Sequence, residues 1–379
     1  MLGDCRSKAA IRKSLATLPQ TLDKTYERIL CRISEADLRY AMNILQWLAF
    51  SFEPLLLDQV AEIAAIDINH EPIFDPDDVL EDPSDILSIC PGLITLSIES
   101  CCEQRAHVTL AHYSVKEYLL SDRIREGPAA LYSMRDSACH DAITQGCLGY
   151  LLQFQEPDYA SSPCIHKFRL RNYCALYWVR HAERADEETG GYSKLAMELL
   201  SEGNPAYLNW LEIAMKFKYH TGMPGDWWVR ELWHTPPWDF PPSPLYTASH
   251  FDLSKIVRLL IDRGADINEM SGYLGNALIG AVHCRQERIT KLLIEKGADV
   301  NAYCSLAGGS RIPTPLLRAV RQWEDGDSDK RFVRLLVEHG AEIVPHGSAD
   351  DDKFREYVNL ILQGNSVIGK QPWKGDYGF

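Results

Sequence analysis

The stretch Ile256-Val-Arg-Leu-Leu-Ile-Asp-Arg-Gly-Ala-Asp-Ile-Asn268 returns 33 residues later as Ile289-Thr-Lys-Leu-Leu-Ile-Glu-Lys-Gly-Ala-Asp-Val-Asn301. A third copy, Phe332-Val-Arg-Leu-Leu-Val-Glu-His-Gly-Ala-Glu-Ile343, begins 43 residues after the second. A second motif precedes each copy: Ser243-Pro-Leu-Tyr-Thr-Ala248, Asn276-Ala-Leu-Ile-Gly-Ala281 and Thr314-Pro-Leu-Leu-Arg-Ala319. The longer third spacing falls in the polar run Trp323-Glu-Asp-Gly-Asp-Ser-Asp-Lys330, read as a loop between two helices. Ser243 and Thr314 are N-cap residues, each followed by a proline at the first helical position, where a missing N–H costs nothing. The pairs Leu259-Leu260, Leu292-Leu293 and Leu335-Leu336 supply the apolar face of a second helix, and Gly264, Gly297 and Gly340 its left-handed exit. A helix pair this short cannot cover its own apolar face, so the units must stack, with these leucines as core.

The period and the words Ser-Pro-Leu-Tyr-Thr-Ala and Gly-Ala-Asp-Ile-Asn resemble ankyrin repeats, over roughly residues 243 to 345. In the second copy Asn276-Ala277 stands in place of Thr-Pro, which predicts a less sharply started helix. Asp351 to Gly364 reads as a further amphipathic helix ended by glycine, a cap on the stack.

Upstream, Thr21 is positioned to cap a helix with Leu22, Tyr26, Ile29 and Leu30 on one side. Apolar-faced helices follow at Ala41 to Phe52 and Leu56 to Ala65. Ile94 to Ile98 and His107 to His112 alternate like two strands joined by Glu99 to Ala106, and Ser114 to Leu120 starts another helix. Helices followed by a short hairpin suggest a winged helix. The segments Leu18 to Leu30, Ile44 to Phe50 and Leu110 to Leu119 resemble the region that follows the nucleotide-binding NACHT domain in fungal NACHT–ankyrin proteins of the signal-transducing ATPase class. Cys5-Arg-Ser-Lys-Ala-Ala10 is similar to the tail of that domain, as though the chain began just after it. No Gly-x-x-x-x-Gly-Lys-Ser/Thr loop for a triphosphate is present.

The resulting division is residues 1–126 for the first module, 127–221 for a helical spacer, 222–242 for a Pro/Trp-rich bridge, 243–364 for the repeats with their capping helix, and 365–379 for a tail. The spacer reading rests on helical apolar spacing at Phe168 to Ala185 and Leu195 to Leu200. Gly222 to Trp228 and Trp233 to Pro242 are stiff and apolar where a flexible linker is rich in Gly and Ser, so the bridge is expected to pack down on the first repeat. The fold class is mainly α: a winged-helix-like module, a helical spacer and an ankyrin-repeat solenoid.

Composition bounds the function. The 379 residues are 46% hydrophobic and 24% charged, ordinary globular values that suit two or three domains. Eleven cysteines are too dilute for a disulfide scaffold. With no basic leader and no long apolar run, the expected setting is cytoplasmic or nuclear, with no membrane contact. A formal charge of −14 opposes nucleic-acid binding. No Lys or Arg occurs from Tyr40 to Gln104, and a recognition helix at Leu56 to Ala65 would bring Asp58 and Glu62 towards phosphate.

Catalytic and metal motifs fail one by one. Cys101, Cys102, His107 and His112 lack the Cys-x-x-Cys spacing of structural zinc. Cys139, His140 and Cys147 read as buried helix residues, since adjacent side chains diverge. The acidic run Asp75 to Asp85 carries Pro76 and Pro83 and lacks the glycine-centred pattern of a calcium loop. There is no Gly-x-Ser-x-Gly elbow and no cofactor fingerprint, so no cofactor is expected. The NACHT resemblance implies that His112 touches a bound diphosphate; the residues alone read it as a strand-end histidine bonded to nearby backbone.

What remains is recognition of a protein partner by finger tips and inner helix faces. The side chains assigned to it are His250, Tyr273, Leu274, His283, Tyr303, Arg321 and Trp323, aromatic and Arg residues being frequent anchors. An equal alternative is that Tyr273, Tyr303 and Trp323 only cover the repeat edges. The chain reads as non-enzymatic, or as the regulatory half of a signalling ATPase with a NACHT-domain partner.

Overall fold

The computed structural model describes residues 21–98, 106–185, 190–221, 242–272, 274–305, 311–312, 314–321, 329–343 and 351–363. Cys5 to Ala10, Cys101, Cys102, most of the hairpin connection, the bridge up to residue 241, Tyr273, Trp323 and the tail lie outside these. The molecule is mostly helical and forms two compact units, residues 1–195 and 196–379.

The first unit opens with α1 (Leu22–Leu30), whose N-cap Thr21 accepts from the Lys24 amide at 3.3 Å. Tyr26 and Leu30 are buried, whereas Leu22 is exposed. In α2 (Leu38–Phe50) the spacing of Ala41, Ile44, Leu45 and Trp47 gives one buried face. Strand β1 (Leu55–Leu56) leads into α3 (Leu57–Ala64), then come α4 (Ile86–Ile89) and the strands β2 (Ile94–Ile98) and β3 (Ala106–Leu110). The sheet is antiparallel in the order β1-β3-β2, with Leu55 opposite Val108 and Leu96 opposite Val108 on the other side. This is a winged helix, as its sequence predicts. The acidic run is ordered into two single turns, Pro76–Asp78 and Pro83–Asp85, capped by the carboxylates of Asp75 and Asp82.

Beyond α5 (Tyr113–Leu120) and α6 (Asp122–Arg125), the chain builds α7 (Asp136–Leu151) and α8 (Arg171–Ala182). They do not form a free-standing spacer. Gly146 and Gly149 let α7 press against the winged helix: a Cβ at Gly149 would meet Ile73 at 2.5 Å, and one at Gly146 would meet Trp47 at 3.2 Å. The Tyr150 hydroxyl donates to Glu62 at 2.6 Å, the Gln46 amide to the Cys139 carbonyl at 3.0 Å, and the Phe52 amide to the Tyr173 hydroxyl at 3.2 Å. The boundary between units therefore falls at 195/196, inside the expected 127–221 segment and within α9 (Ser193–Leu199).

The second unit continues with α10 (Pro205–Thr221), then the helix pairs α11 (Pro244–His250) and α12 (Ser254–Asp262), α13 (Ala277–His283) and α14 (Glu287–Glu295). A two-residue pairing of β4 (Cys304–Ser305) with β5 (Arg311–Ile312) precedes α15 (Pro315–Arg321) and α16 (Asp329–Glu338), and α17 (Asp351–Leu362) follows. Val358 and Ile361 of α17 are buried and Arg334 of α16 donates to the Ile361 carbonyl at 3.4 Å, so this helix packs on the last repeat. Leu260, Leu292, Leu293 and Leu336 are core, while Leu259 and Leu335 are half-buried.

Candidate protein-recognition surface

Each repeat is fastened by its own sequence words. Ser243, Asn276 and Thr314 accept from the amide three residues on, at 3.3, 2.9 and 3.3 Å. Asn276 therefore starts α13 as firmly as the serine and threonine start theirs, contrary to expectation, because its amide oxygen replaces the hydroxyl. Gly264, Gly297 and Gly340 have φ of +93°, +97° and +92°, the left-handed exit that the sequence predicts. The asparagine closing each Gly-Ala-Asp-x-Asn motif joins one repeat to the next. Asn268 Oδ1 accepts from the Asp299 amide and Asn301 Oδ1 from the Glu342 amide, both at 2.8 Å. Asn301 Nδ2 also donates to the Gly340 carbonyl at 3.1 Å.

The inner helices are closed. In α11 every residue after Pro244 is buried, and all of α13 is buried. Tyr246 spans the gap between them: its ring lies where a Cβ at Gly272 would come within 2.6 Å and one at Gly280 within 3.3 Å. This overturns three of the proposed contact residues as free side chains. His250, Leu274 and His283 are buried. The Cys284 sulfur lies 3.0 Å from His250 Nδ1, and Arg318 Nε donates to His283 Nδ1 at 2.8 Å. Burial and the neighbouring Arg318 cation push His283 down to about 3, so its ring is the neutral acceptor in that bond. These side chains knit successive inner helices together, a role that aromatic and polar residue type alone does not distinguish from partner contact.

Tyr303, by contrast, is 61% exposed. Met270, 39% exposed, holds the equivalent position one repeat earlier. Composition-based reading missed Met270; the 33-residue offset from Tyr303 was the signal that would have found it. Tyr273 and Trp323 fall outside the described residues, as does the side chain of Arg321 at the end of α15.

The first unit holds two buried polar clusters. A groove-reading role for α3 would turn Glu62 towards phosphate. Instead it is buried and accepts from the Tyr150 hydroxyl and from the Arg169 and Leu170 amides, the latter two at 2.8 Å. Burial raises its pKa and these donors pull it back. The helix directly before the hairpin is the four-residue α4, so α3 does not occupy the position assigned to it in a groove reading.

In the second cluster, His140 Nδ1 lies 2.7 Å from His181 Nδ1, and Tyr173 Oη lies 2.9 Å from His181 Nε2. With the Tyr173 proton directed at His181 Nε2, the Tyr173 oxygen accepts from the Phe52 amide. His181 then donates through Nδ1 to His140, whose Nε2–H is left 3.9 Å from Asp136. Burial is the first cause that lowers both histidines, His181 to about 2. Cys139 and Cys147 are buried, as expected, and burial pushes Cys139 up to about 11. His112 caps α5 through Nδ1, which accepts from the Ser114 amide at 3.1 Å, matching the backbone-bonded reading. Among the described residues no group of three His, Cys, Asp or Glu is placed to hold a metal ion, and no helix is long and apolar enough to cross a membrane.

Comparison with known proteins agrees with both modules. Residues 26–131 match the family model described as the winged helix domain of GPI inositol-deacylase, and residues 243–271 match the ankyrin repeat. A protein of Monascus ruber, named azaphilone pigments biosynthesis cluster protein L, is 32% identical over 279 residues. That alignment takes in 70% of this chain and 57% of the relative, so the chain spans little more than half the relative's length. A solved ankyrin repeat domain from Acinetobacter baumannii AYE is 22% identical, over 44% of this chain and 85% of its own, with a TM-score of 0.28.

Proposed function

We propose that this chain is a non-enzymatic interaction and regulatory protein whose ankyrin stack recognises a protein partner. The observation that carries the reading is the stapled stack itself. Three repeats in register, the first two with closed inner helices, hold Met270 and Tyr303 out on successive tips. An exposed aromatic on a rigid support loses little conformational entropy when it docks. Tyr273, Arg321 and Trp323 complete the proposed contact set. The closed hydrogen bonding of Glu62 and of the His140–His181 pair supports structural over catalytic roles for those groups.

The test is affinity capture with the full chain as bait, beside Met270→Ala/Tyr303→Ala. The variant is compared with the wild type at temperatures where its melting curve shows it folded. A partner retained by the wild type and lost by the variant supports the reading, and equal retention removes the tips from it.

A second reading, that the chain regulates a signalling ATPase, is supported by the winged-helix match at 26–131 and by the motif order around it. It requires the full chain to co-purify with a separately expressed NACHT domain bound to ADP. No co-elution at micromolar concentrations counts against it.

A further inference from the structure

The outer helices carry their charges in rows along the stack. Lys255, Arg288 and Arg331 occupy equivalent repeat positions, and Arg258, Lys291 and Arg334 do so three residues on. Next come the carboxylates Asp262, Glu295 and Glu338, then Arg263, Lys296 and His339. Over residues 254–263, 287–296 and 330–339, nine lysines and arginines stand against four carboxylates, in a chain of net charge −14. The rows are held side by side. Arg331 pairs with Glu287 of the preceding helix at 3.0 Å and Lys296 with Asp262 at 3.1 Å.

Arg258, Arg288, Lys291 and Arg331 are exposed, Lys255 is half-buried, and Arg334, though exposed, also donates to the Ile361 carbonyl of α17. Glu287 partly neutralises Lys291, at 2.7 Å, as well as Arg331. Lys255 and Arg258 have no ion pair among the described residues. Folding does not require this excess, since exposed pairs contribute about 0–1 kcal/mol and neighbouring cations repel.

We propose that this outer face docks an extended acidic segment of a partner protein. This deepens the recognition reading above and rests on it. Packed helices stand about 8–10 Å apart and a strand advances about 3.3 Å per residue, so carboxylates at every third residue meet the basic rows of successive repeats. Polyphosphate fits less well. The carboxylate row lies about one helical turn from the basic rows, within reach of any uniform polyanion, and the chain as a whole is acidic.

The test uses the full chain and a fluorescent 13-residue peptide with Glu at every third position and Ser and Ala between, read by anisotropy. Affinity should fall at least tenfold in Arg258→Glu/Lys291→Glu, with an unchanged melting curve, and several-fold on raising salt from about 50 to 200 mM. A peptide of the same composition with its Glu residues clustered should bind at least threefold more weakly. Equal binding by the double variant, no preference between the peptides, or tighter binding of duplex DNA each overturns the proposal. If the partner caught in the capture experiment depends on Met270 and Tyr303 but is unaffected by Arg258→Glu/Lys291→Glu, this face is excluded while partner recognition stands. If nothing is captured, the recognition reading itself fails.

Discussion

At the scale of single residues, the most consequential side chains are polar ones whose protons are fixed by their neighbours. The His140–His181–Tyr173 chain is satisfied with both histidines neutral. A proton added to either ring puts a donor where a donor already stands. Asp136 draws His140 upwards, while Arg184 beside both rings, Lys116 near His140 and Arg180 near His181 oppose protonation, and burial dominates. Because both native pKa values lie below the unfolded value near 6.5, the unfolded state binds more protons between them. Their contribution is fully present above pH 6.5 and is lost as pH falls, at about 1.4 kcal/mol per pH unit for each histidine that titrates only when unfolded. Urea midpoints between pH 8 and 5 should therefore drop. His181→Gln should be less stable at pH 8 but show a shallower decline; an unchanged slope would refute the neutral pair. The Asn staples belong to the same scale. Asn301→Ala removes the 2.8 Å acceptor of the exposed Glu342 amide, and it should cost about 0.5–1.5 kcal/mol, measurable as a lower Tm of the second unit.

At the scale of elements, legibility in the sequence followed the range of the interaction. Caps, glycine exits and repeat register are local or periodic, and Thr21, Ser243, Gly297 and the β2-β3 hairpin all stand where the residues placed them. Contacts between distant segments left no such trace. Glu62 and Tyr150 are 88 residues apart, and nothing in either neighbourhood announces the other. The inner-helix histidines were misassigned because one residue type serves an exposed tip and a buried rung alike. Likewise α10 was grouped with the spacer, yet it packs on the first repeat. Tyr207 donates to the Pro242 carbonyl at 2.9 Å and lies 2.7 Å from the Thr247 hydroxyl, and the Trp210 ring is 6.1 Å from that of Phe251. The bridge expected at this end of the stack lies, up to residue 241, outside the described residues, and among the described residues α10 packs there. Trp210→Ala should then destabilise the second unit by about 3–5 kcal/mol, and Tyr207→Phe by about 1 kcal/mol. Wild-type stability in the tryptophan variant would mean that the stack does not depend on this helix.

At the scale of the whole molecule, the two units differ in what makes them cooperative. The first is closed by long-range pairs between the winged helix and α7–α8, so damage anywhere in it is shared throughout. The second is a stack in which each repeat leans on its neighbours, and three repeats sit near the lower limit for such an arrangement. Each unit buries its own set of large side chains, Leu45 and Trp178 in one, Trp210 and Leu293 in the other. Calorimetry should accordingly resolve two transitions. Leu293→Ala removes a fully buried side chain from the middle repeat and should lower one of them by the equivalent of about 2–5 kcal/mol. Leu45→Ala, also fully buried, should lower the other by a similar amount. Acidification from pH 8 to 5 should depress the transition sensitive to Leu45 through His140 and His181, and the one sensitive to Leu293 through His283. A single transition displaced equally by both leucine variants would show that the chain unfolds as one body, and the two-unit description would have to be given up.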